Sequence, residues 1–234
     1  MAPLSGVATA GLLAQGEPAN PWFTWDYVRD NRADIVDALQ QHVTLTVETI
    51  LVGLVVAFPL ALLAHRFRRL AGPILGITGV LYTIPSLALF AFLAPFTGIT
   101  SRTVLIGLVM YALLILVRNI LVGLEGVPAE VREAAQGMGY GRARMLWRVE
   151  LPVAMPAVMA GIRVATDSTV ALVTVGVIVG YGGLGRLIIR GFQNNFYRAE
   201  IVTASTLTVL LGLAADLLLA GLTWLLTPWA RGRS

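Results

Sequence analysis

The sequence predicts an all-α protein that crosses a membrane about five times. Of its 234 residues, 57% are hydrophobic and only 13% are charged, whereas a soluble domain carries about 25% charged residues. Five long apolar runs follow one another, and each can cross about 30 Å of hydrocarbon as a helix. The runs occupy residues 43–64, 73–95, 103–124, 153–179 and 201–226.

The segment before the first run divides into two predicted parts. Residues 1–21 are predicted to form a mobile leader, because their apolar stretch lacks a basic region and is shorter than the ~20 residues of a span. Residues 22–41 are predicted to form an amphipathic interfacial helix, with apolar side chains on one face and aspartates elsewhere. Residues 42–229 are the predicted transmembrane domain, and residues 230–234 a cytoplasmic tail.

The distribution of arginine predicts how the chain is oriented. All 17 basic residues are arginine, and cytoplasmic connections between spans carry an excess of basic residues. If the N-terminus is outside, nine arginines fall in cytoplasmic segments and six in outer ones, so the sequence predicts N-out and C-in. The nine are Arg66, Arg68, Arg69, Arg132, Arg142, Arg144, Arg148, Arg231 and Arg233. In so apolar a chain this charge indicates a lipid bilayer as partner, not nucleic acid.

The composition of the spans indicates a packed bundle and not a lone anchor. Small residues are frequent in them and allow helices to approach closely. Prolines also interrupt or flank the spans, at Pro59, Pro85, Pro95 and Pro156. A proline kinks a membrane helix where neighbouring helices can satisfy the freed carbonyls.

The predicted cytoplasmic connection at residues 125–152 is both charged and helical in pattern. Pro128 suits a first helical turn, and Glu130 and Glu133 favour the positive N-terminal end of a helix. Gly137 or Gly139 can end that helix. The segment therefore predicts a short helix, a glycine turn and a second short helix.

This segment resembles the E-A-A-x3-G-x9-I-x-L-P signature of the permease subunits of ABC importers. Val149 stands where the signature has isoleucine, and the resemblance covers about residues 40–229. It implies a MetI-like permease fold with five core spans, an N-terminal interfacial helix and a cytoplasmic coupling helix. The six matching positions are Glu133, Ala134, Ala135, Gly139, Leu151 and Pro152.

The resemblance also implies a role for these residues and a set of partners. Small alanines permit close docking on a separate ATPase subunit, Gly139 turns the chain, and Pro152 is expected to start the fourth span rigidly. The implied partners are ABC ATPase subunits, a second permease copy or paralogue, and an extracytoplasmic substrate-binding protein. ATP and Mg²⁺ belong to the ATPase, and no cofactor is expected on this chain, which lacks the lysine of a phosphate loop.

Within the family, the sequence outside the signature resembles that of the osmoprotectant branch. The resembling stretches are Gln41-His42, residues 82–89, Val117-Arg118-Asn119, and the Tyr-Gly-Gly-Leu-Gly sequence at residues 181–185. The branch implies quaternary-ammonium substrates such as glycine betaine, choline or carnitine. Permeases for other small solutes, such as methionine, share parts of these stretches and remain an alternative.

Two further possibilities depend on ionisable residues. Arg163 and Asp167 lie four residues apart on one face of the fourth span, where they could line a translocation path or form a structural ion pair. They are also the visible ion-coupling candidates for a stand-alone secondary transporter. A membrane enzyme is not expected, because cysteine is absent and His42 and His65 lie at opposite ends of one span, too far apart to share a metal.

Overall fold

The computed structural model describes residues 20–230, so the predicted leader and tail lie almost entirely outside the described residues. The helices are α1 (Trp25–Asp30), α2 (Arg32–Arg66), α3 (Arg68–Thr83), α4 (Ser86–Thr97), α5 (Ser101–Glu125), α6 (Ala129–Gly137), α7 (Arg142–Met145), α8 (Leu151–Val173), α9 (Leu184–Gln193) and α10 (Arg198–Leu226). A short π-helix at Leu146–Glu150, called the π-turn below, joins α7 to α8, and a 3₁₀ segment at Thr174–Val179 extends α8.

The helical fold predicted from the sequence is confirmed, with one span in two pieces. Helices α2, α5 and α10 and the stretch Arg142–Val179 are each long and apolar enough to cross a membrane. Helices α3 and α4 qualify only together, and they meet at an angle of 96°. The bend follows from Pro85, because a residue that precedes proline avoids the helical conformation. Ile84 is accordingly extended, with ψ 128°.

The N-terminal region differs from the predicted separate interfacial helix at residues 22–41. Helix α1 has only six residues and ends at Asp30, because Asn31 has a φ of −104° and interrupts the helix. From Arg32 the chain then continues into the first span as one helix of 35 residues. Helix α2 is continuous because no proline precedes Pro59 in it. Ile35 and Ala38, near its start, are buried like the residues on the inner face of the span that follows.

Helix α5 lies at the centre of the bundle, between α2 and α8. Its side chains Leu116, Val117 and Ile120 are almost completely buried. The contact between α5 and α8 depends on a glycine, because a Cβ added to Gly161 would lie 2.4 Å from the Cβ of Asn119. Close helix contacts through small residues are the usual way in which membrane helices associate.

Replacing Gly161 by alanine is expected to destabilise the bundle by about 1–3 kcal/mol, the usual cost of overpacking. The added methyl group would push α8 away from Asn119 on α5. Gly76→Ala is the matched control, because no atom lies within 4 Å of a Cβ placed at Gly76. The temperature at which half of the detergent-purified protein aggregates should fall for the first variant only. Equal temperatures for the two variants would contradict this account.

Candidate functional site

Helix α6 projects from the end of the bundle that holds the C-terminus of α5 and the start of Arg142–Val179. It begins after Pro128, whose φ of −58° suits a helix start. Glu133 and Ala134 are exposed, whereas Ala135 is buried against the rest of the chain. The three adjacent residues of the signature therefore face in different directions, two outward and one inward.

The predicted glycine turn is present after α6. Gly139 has a φ of +78°, a left-handed conformation that glycine adopts without steric cost. Its N–H donates to the carbonyl of Gln136 at 2.9 Å, and the N–H of Tyr140 donates to the carbonyl of Ala135 at 3.1 Å. These two bonds form a Schellman motif, which satisfies the last carbonyls of the helix.

The second helix of this segment is not separate, contrary to the sequence prediction. The helix that starts at Arg142 runs without a break into the fourth span, so Pro152 lies inside a continuous helix and does not start it. Proline has no N–H to donate, and its ring crowds the carbonyl four residues earlier. The helix widens just before this point into the π-turn Leu146–Glu150.

An ion pair that the sequence analysis missed ties α6 to this π-turn. The Nε atom of Arg132 donates to Oε1 of Glu150 at 2.9 Å, and its Nη2 atom donates to the carbonyl of Leu124 at 2.6 Å. Glu150 is buried, and Nε2 of His65 on α2 lies 3.8 Å from its carboxylate. Arg132 adjoins the signature residue Glu133, and Glu150 adjoins the signature residue Leu151. These opposite charges beside the two ends of the signature were the sequence signal for the ion pair.

Arg163 pairs with a residue that its sequence neighbours do not reveal. Its guanidinium forms two parallel hydrogen bonds with Asp216 on α10, at 2.8 and 2.9 Å. The structural ion pair left open above is thus between helices, and it uses Asp216 and not Asp167. Asp167 is exposed.

Two stretches of the resemblance meet at the opposite end of the bundle. Gly183 N–H donates to Oε1 of Gln41 at 2.9 Å, and Leu184 N–H points to Nδ1 of His42 at 3.4 Å. Because Nδ1 accepts, Nε2 carries the proton and donates to the carbonyl of Val170 at 3.0 Å. Gly183 has a φ of +51°, and a Cβ there would lie 2.7 Å from that of His42.

His42 is therefore a fully buried link between α2 and the turn after α8. His65 lies at the other end of α2, as predicted, and its side chain is partly exposed. Among residues 20–230, no group of three or more histidines, aspartates and glutamates is arranged to hold a metal ion.

We expect His42→Ala to destabilise the protein by about 2 kcal/mol or more, because it removes the buried hydrogen bonds that His42 makes with the Val170 carbonyl and the Leu184 N–H. His65→Ala is the matched control from the same helix and should have a smaller effect. The aggregation temperature of detergent-purified protein measures both. A larger loss for His65→Ala would contradict the assignment of His42 as a structural link.

Charged side chains at the same end of the bundle as His42 join helices α2, α9 and α10. Arg190 on α9 donates to Asp34 on α2 at 2.7 Å and to Glu200 on α10 at 2.5 Å. Arg186 donates to Asp37 at 2.8 Å. The hydrogen bond to Asp34 raises the pKa of Arg190 above its ordinary value. Helices α2, α9 and α10 are thus joined at this end by ion pairs.

Comparison with known proteins places this arrangement in a family. Residues 49–231 match the family described as binding-protein-dependent transport system inner membrane component. The chain is 33% identical over 205 residues to the carnitine transport permease protein OpuCB of Listeria monocytogenes, covering 87% of this chain and 93% of the relative.

Other relatives resemble the chain to a similar degree. It is 33% identical over 208 residues to the choline transport system permease protein OpuBD of Bacillus subtilis, covering 89% of this chain and 92% of that protein. It is 32% identical over 210 residues to the osmoprotectant import permease protein OsmW of Salmonella typhimurium, covering 88% and 97% of the two chains.

Solved structures share the fold. A chain of the inward-facing methionine ABC transporter MetNI matches with a TM-score of 0.71 at 20% identity, over 82% of this chain and 96% of the other. A chain of an amino acid ABC transporter matches with a TM-score of 0.68 at 15% identity, over 86% and 97%. The chain therefore belongs to the family of binding-protein-dependent transport system inner membrane components.

Proposed function

We propose that this chain is the permease subunit of an ATP-driven importer for quaternary-ammonium osmoprotectants such as glycine betaine, choline or carnitine. The observation that carries the proposal is the exposed helix α6, which presents Glu133 and Ala134 and is tied by Arg132 to the start of the fourth span. The substrate class follows from the relatives, whose names specify carnitine, choline and osmoprotectants.

Helix α6 is the proposed coupling helix, inserted into a groove of a separate ATPase subunit. Exposed Ala134 permits close contact, and Glu133 offers a charge-assisted hydrogen bond. Motion of α6 then passes through the Arg132–Glu150 ion pair into the helix that contains Leu151 and Pro152. ATP and Mg²⁺ would bind to the ATPase, whose closure would move the spans between outward-open and inward-open states.

The proposed assembly is that of a bacterial plasma-membrane importer, with the N-terminus outside and the C-terminus in the cytoplasm. Two permease subunits, identical or paralogous, would enclose the path, and two ATPases would bind their coupling helices. An extracytoplasmic binding protein would select the substrate, since a quaternary ammonium is recognised by aromatic rings through cation–π attraction. The permease then need not contain the most selective site.

Asp167 is proposed to face the second permease or the translocation path. It is exposed in the middle of a span, and a carboxylate facing lipid there is costly. Asp167→Asn is expected to lower uptake severalfold while leaving the amount of folded protein unchanged. Asp216→Asn should instead lower the aggregation temperature. The asparagine amide is neutral and can accept only one of the two hydrogen bonds that Arg163 donates to Asp216. Normal uptake by Asp167→Asn would count against this placement.

The function is tested by reconstituting the permease into liposomes with a candidate ATPase and a candidate binding protein from the same organism. Uptake of radiolabelled glycine betaine, choline, carnitine and methionine is measured with ATP inside the liposomes. ATP-dependent uptake of one or more quaternary-ammonium compounds is the expected result, and an ATPase without its phosphate-loop lysine is the control. Uptake of methionine alone would overturn the substrate class. Uptake without any ATPase, driven by an ion gradient, would indicate a secondary transporter.

A further inference from the structure

A groove of about 570 Å³ opens between the end of α2 and the segment that runs from α6 into α7. The coupling route proposed above passes through the Arg132–Glu150 ion pair in the lining of this groove but gives no role to Arg66 or Arg142. Its polar lining is mainly basic and includes Arg66, Arg132 and Arg142, whereas Glu150 is the acidic residue among the described side chains that line it.

The arginines of the groove outnumber its carboxylate. Arg132 and Glu150 neutralise each other in their ion pair. Arg66 and Arg142 are exposed, and neither forms an ion pair with another residue in the range 20–230. The guanidinium group of Arg66 lies 5.4 Å from the centre of the Phe67 ring. Two guanidinium groups from different helices thus remain available for an anion, and guanidinium groups bind phosphate oxygens well.

Apart from the polar side chains of His65 and Gln136, the remaining lining of the groove is apolar, and aromatic residues next to it indicate its level in the bilayer. Leu62 and Leu146 line the groove on its two sides. Trp147 adjoins Leu146, is 59% exposed, and lies 5.9 Å from the ring of Phe58 on α2. Exposed tryptophan is typical of the boundary between hydrocarbon and head groups. The groove therefore places basic side chains at head-group level with apolar side chains beside them.

We propose that this groove binds the phosphate head group of an anionic phospholipid, with Arg66 and Arg142 as its cationic ligands. The head group would bridge the end of α2 and the start of α7, and an acyl chain would lie against Leu62 and Leu146. The apolar side chains favour a lipid over free phosphate, because free phosphate has no apolar part to pack against them. Only the assignment of the groove to the cytoplasmic leaflet depends on the proposed function.

Native mass spectrometry of the purified full-length permease, with the ATPase subunits it retains, tests this proposal. The protein is exchanged into detergent that contains equal amounts of phosphatidylglycerol and phosphatidylcholine. We expect phosphatidylglycerol to be retained preferentially, and retention to fall about tenfold in an Arg66→Gln/Arg142→Gln variant. The matched control is Arg144→Gln/Arg148→Gln, which removes two exposed arginines of the same segment that do not line the groove, and it should retain the lipid.

Three results would overturn the proposal. Retention could be unchanged in the first double variant, or phosphatidylcholine could be retained equally. Alternatively, inorganic phosphate at millimolar concentration could displace all phosphatidylglycerol, which would make free phosphate the ligand. If the first double variant loses ATPase subunits but keeps its lipid, the two arginines bind the ATPase instead. Failure of ATP-driven uptake would refute the transport function without affecting lipid retention.

Discussion

Replacing Gly139 by proline is expected to abolish ATP-driven uptake. Proline fixes φ near −65° and has no N–H, whereas Gly139 has a φ of +78° and donates to the carbonyl of Gln136. The substitution would also disfavour the helical conformation of Met138, the preceding residue. Together these effects cost about 3 kcal/mol or more, enough to unwind the end of α6 and displace its exposed residues from the ATPase.

The experiment compares three substitutions at two neighbouring glycines, Gly139 and Gly141. Gly139→Asn should retain most uptake, because asparagine tolerates the left-handed conformation better than other residues with a Cβ. Gly141→Ala should be indistinguishable from the original protein, since Gly141 has a φ of −71° and open space around it. Uptake and the ATPase that copurifies are measured for each. Normal uptake by Gly139→Pro would refute the coupling role of α6.

Breaking the ion pair between Arg132 and Glu150 is expected to uncouple ATP hydrolysis from transport. Glu150→Gln removes a buried negative charge and leaves Arg132 without its ionic partner, at a cost of about 2 kcal/mol. The ATPase would still bind the exposed face of α6, so hydrolysis continues while less of its motion reaches α8. The ratio of solute imported to ATP hydrolysed should therefore fall several-fold.

Matched variants distinguish this role from a general loss of stability. Arg132→Gln should lower the same ratio, and the double variant Arg132→Gln/Glu150→Gln should be no worse than either single variant, because both remove one interaction. Arg148→Gln is the control, since Arg148 is an exposed arginine in the same π-turn. Strictly additive effects of the two single substitutions would contradict a direct link.

Local chemistry made part of this architecture predictable. The apolar runs are long enough to be spans, and Gly139 is spaced from α6 so that its left-handed conformation closes a Schellman motif. The continuity of α2 through residue 41 was not predictable from polarity alone, because an amphipathic segment and an apolar one join without a change of backbone conformation.

Long-range pairing accounts for the remaining differences. Arg163 and Asp167 suit each other by helical spacing, yet Arg163 binds Asp216, which is 53 residues away in sequence. Likewise, Arg132 and Glu150 are 18 residues apart and meet only because the glycine turn reverses the chain. The charges that flank the signature suggest the second pair, whereas Asp216 cannot be identified as the partner of Arg163 without knowing how the helices pack.

The bend at Pro85 has a consequence for which surface of the protein can touch lipid. Helix α3 has 16 residues and α4 has 12, so neither reaches across the bilayer, which needs about 20. The extended backbone between them cannot face hydrocarbon, where polar groups without partners are costly. The hydroxyl group of Tyr111 donates to the carbonyl of Ile84 and covers part of this exposed backbone. The bend between α3 and α4 must therefore face protein or water, and the acyl chains of the lipids must contact other sides of the bundle.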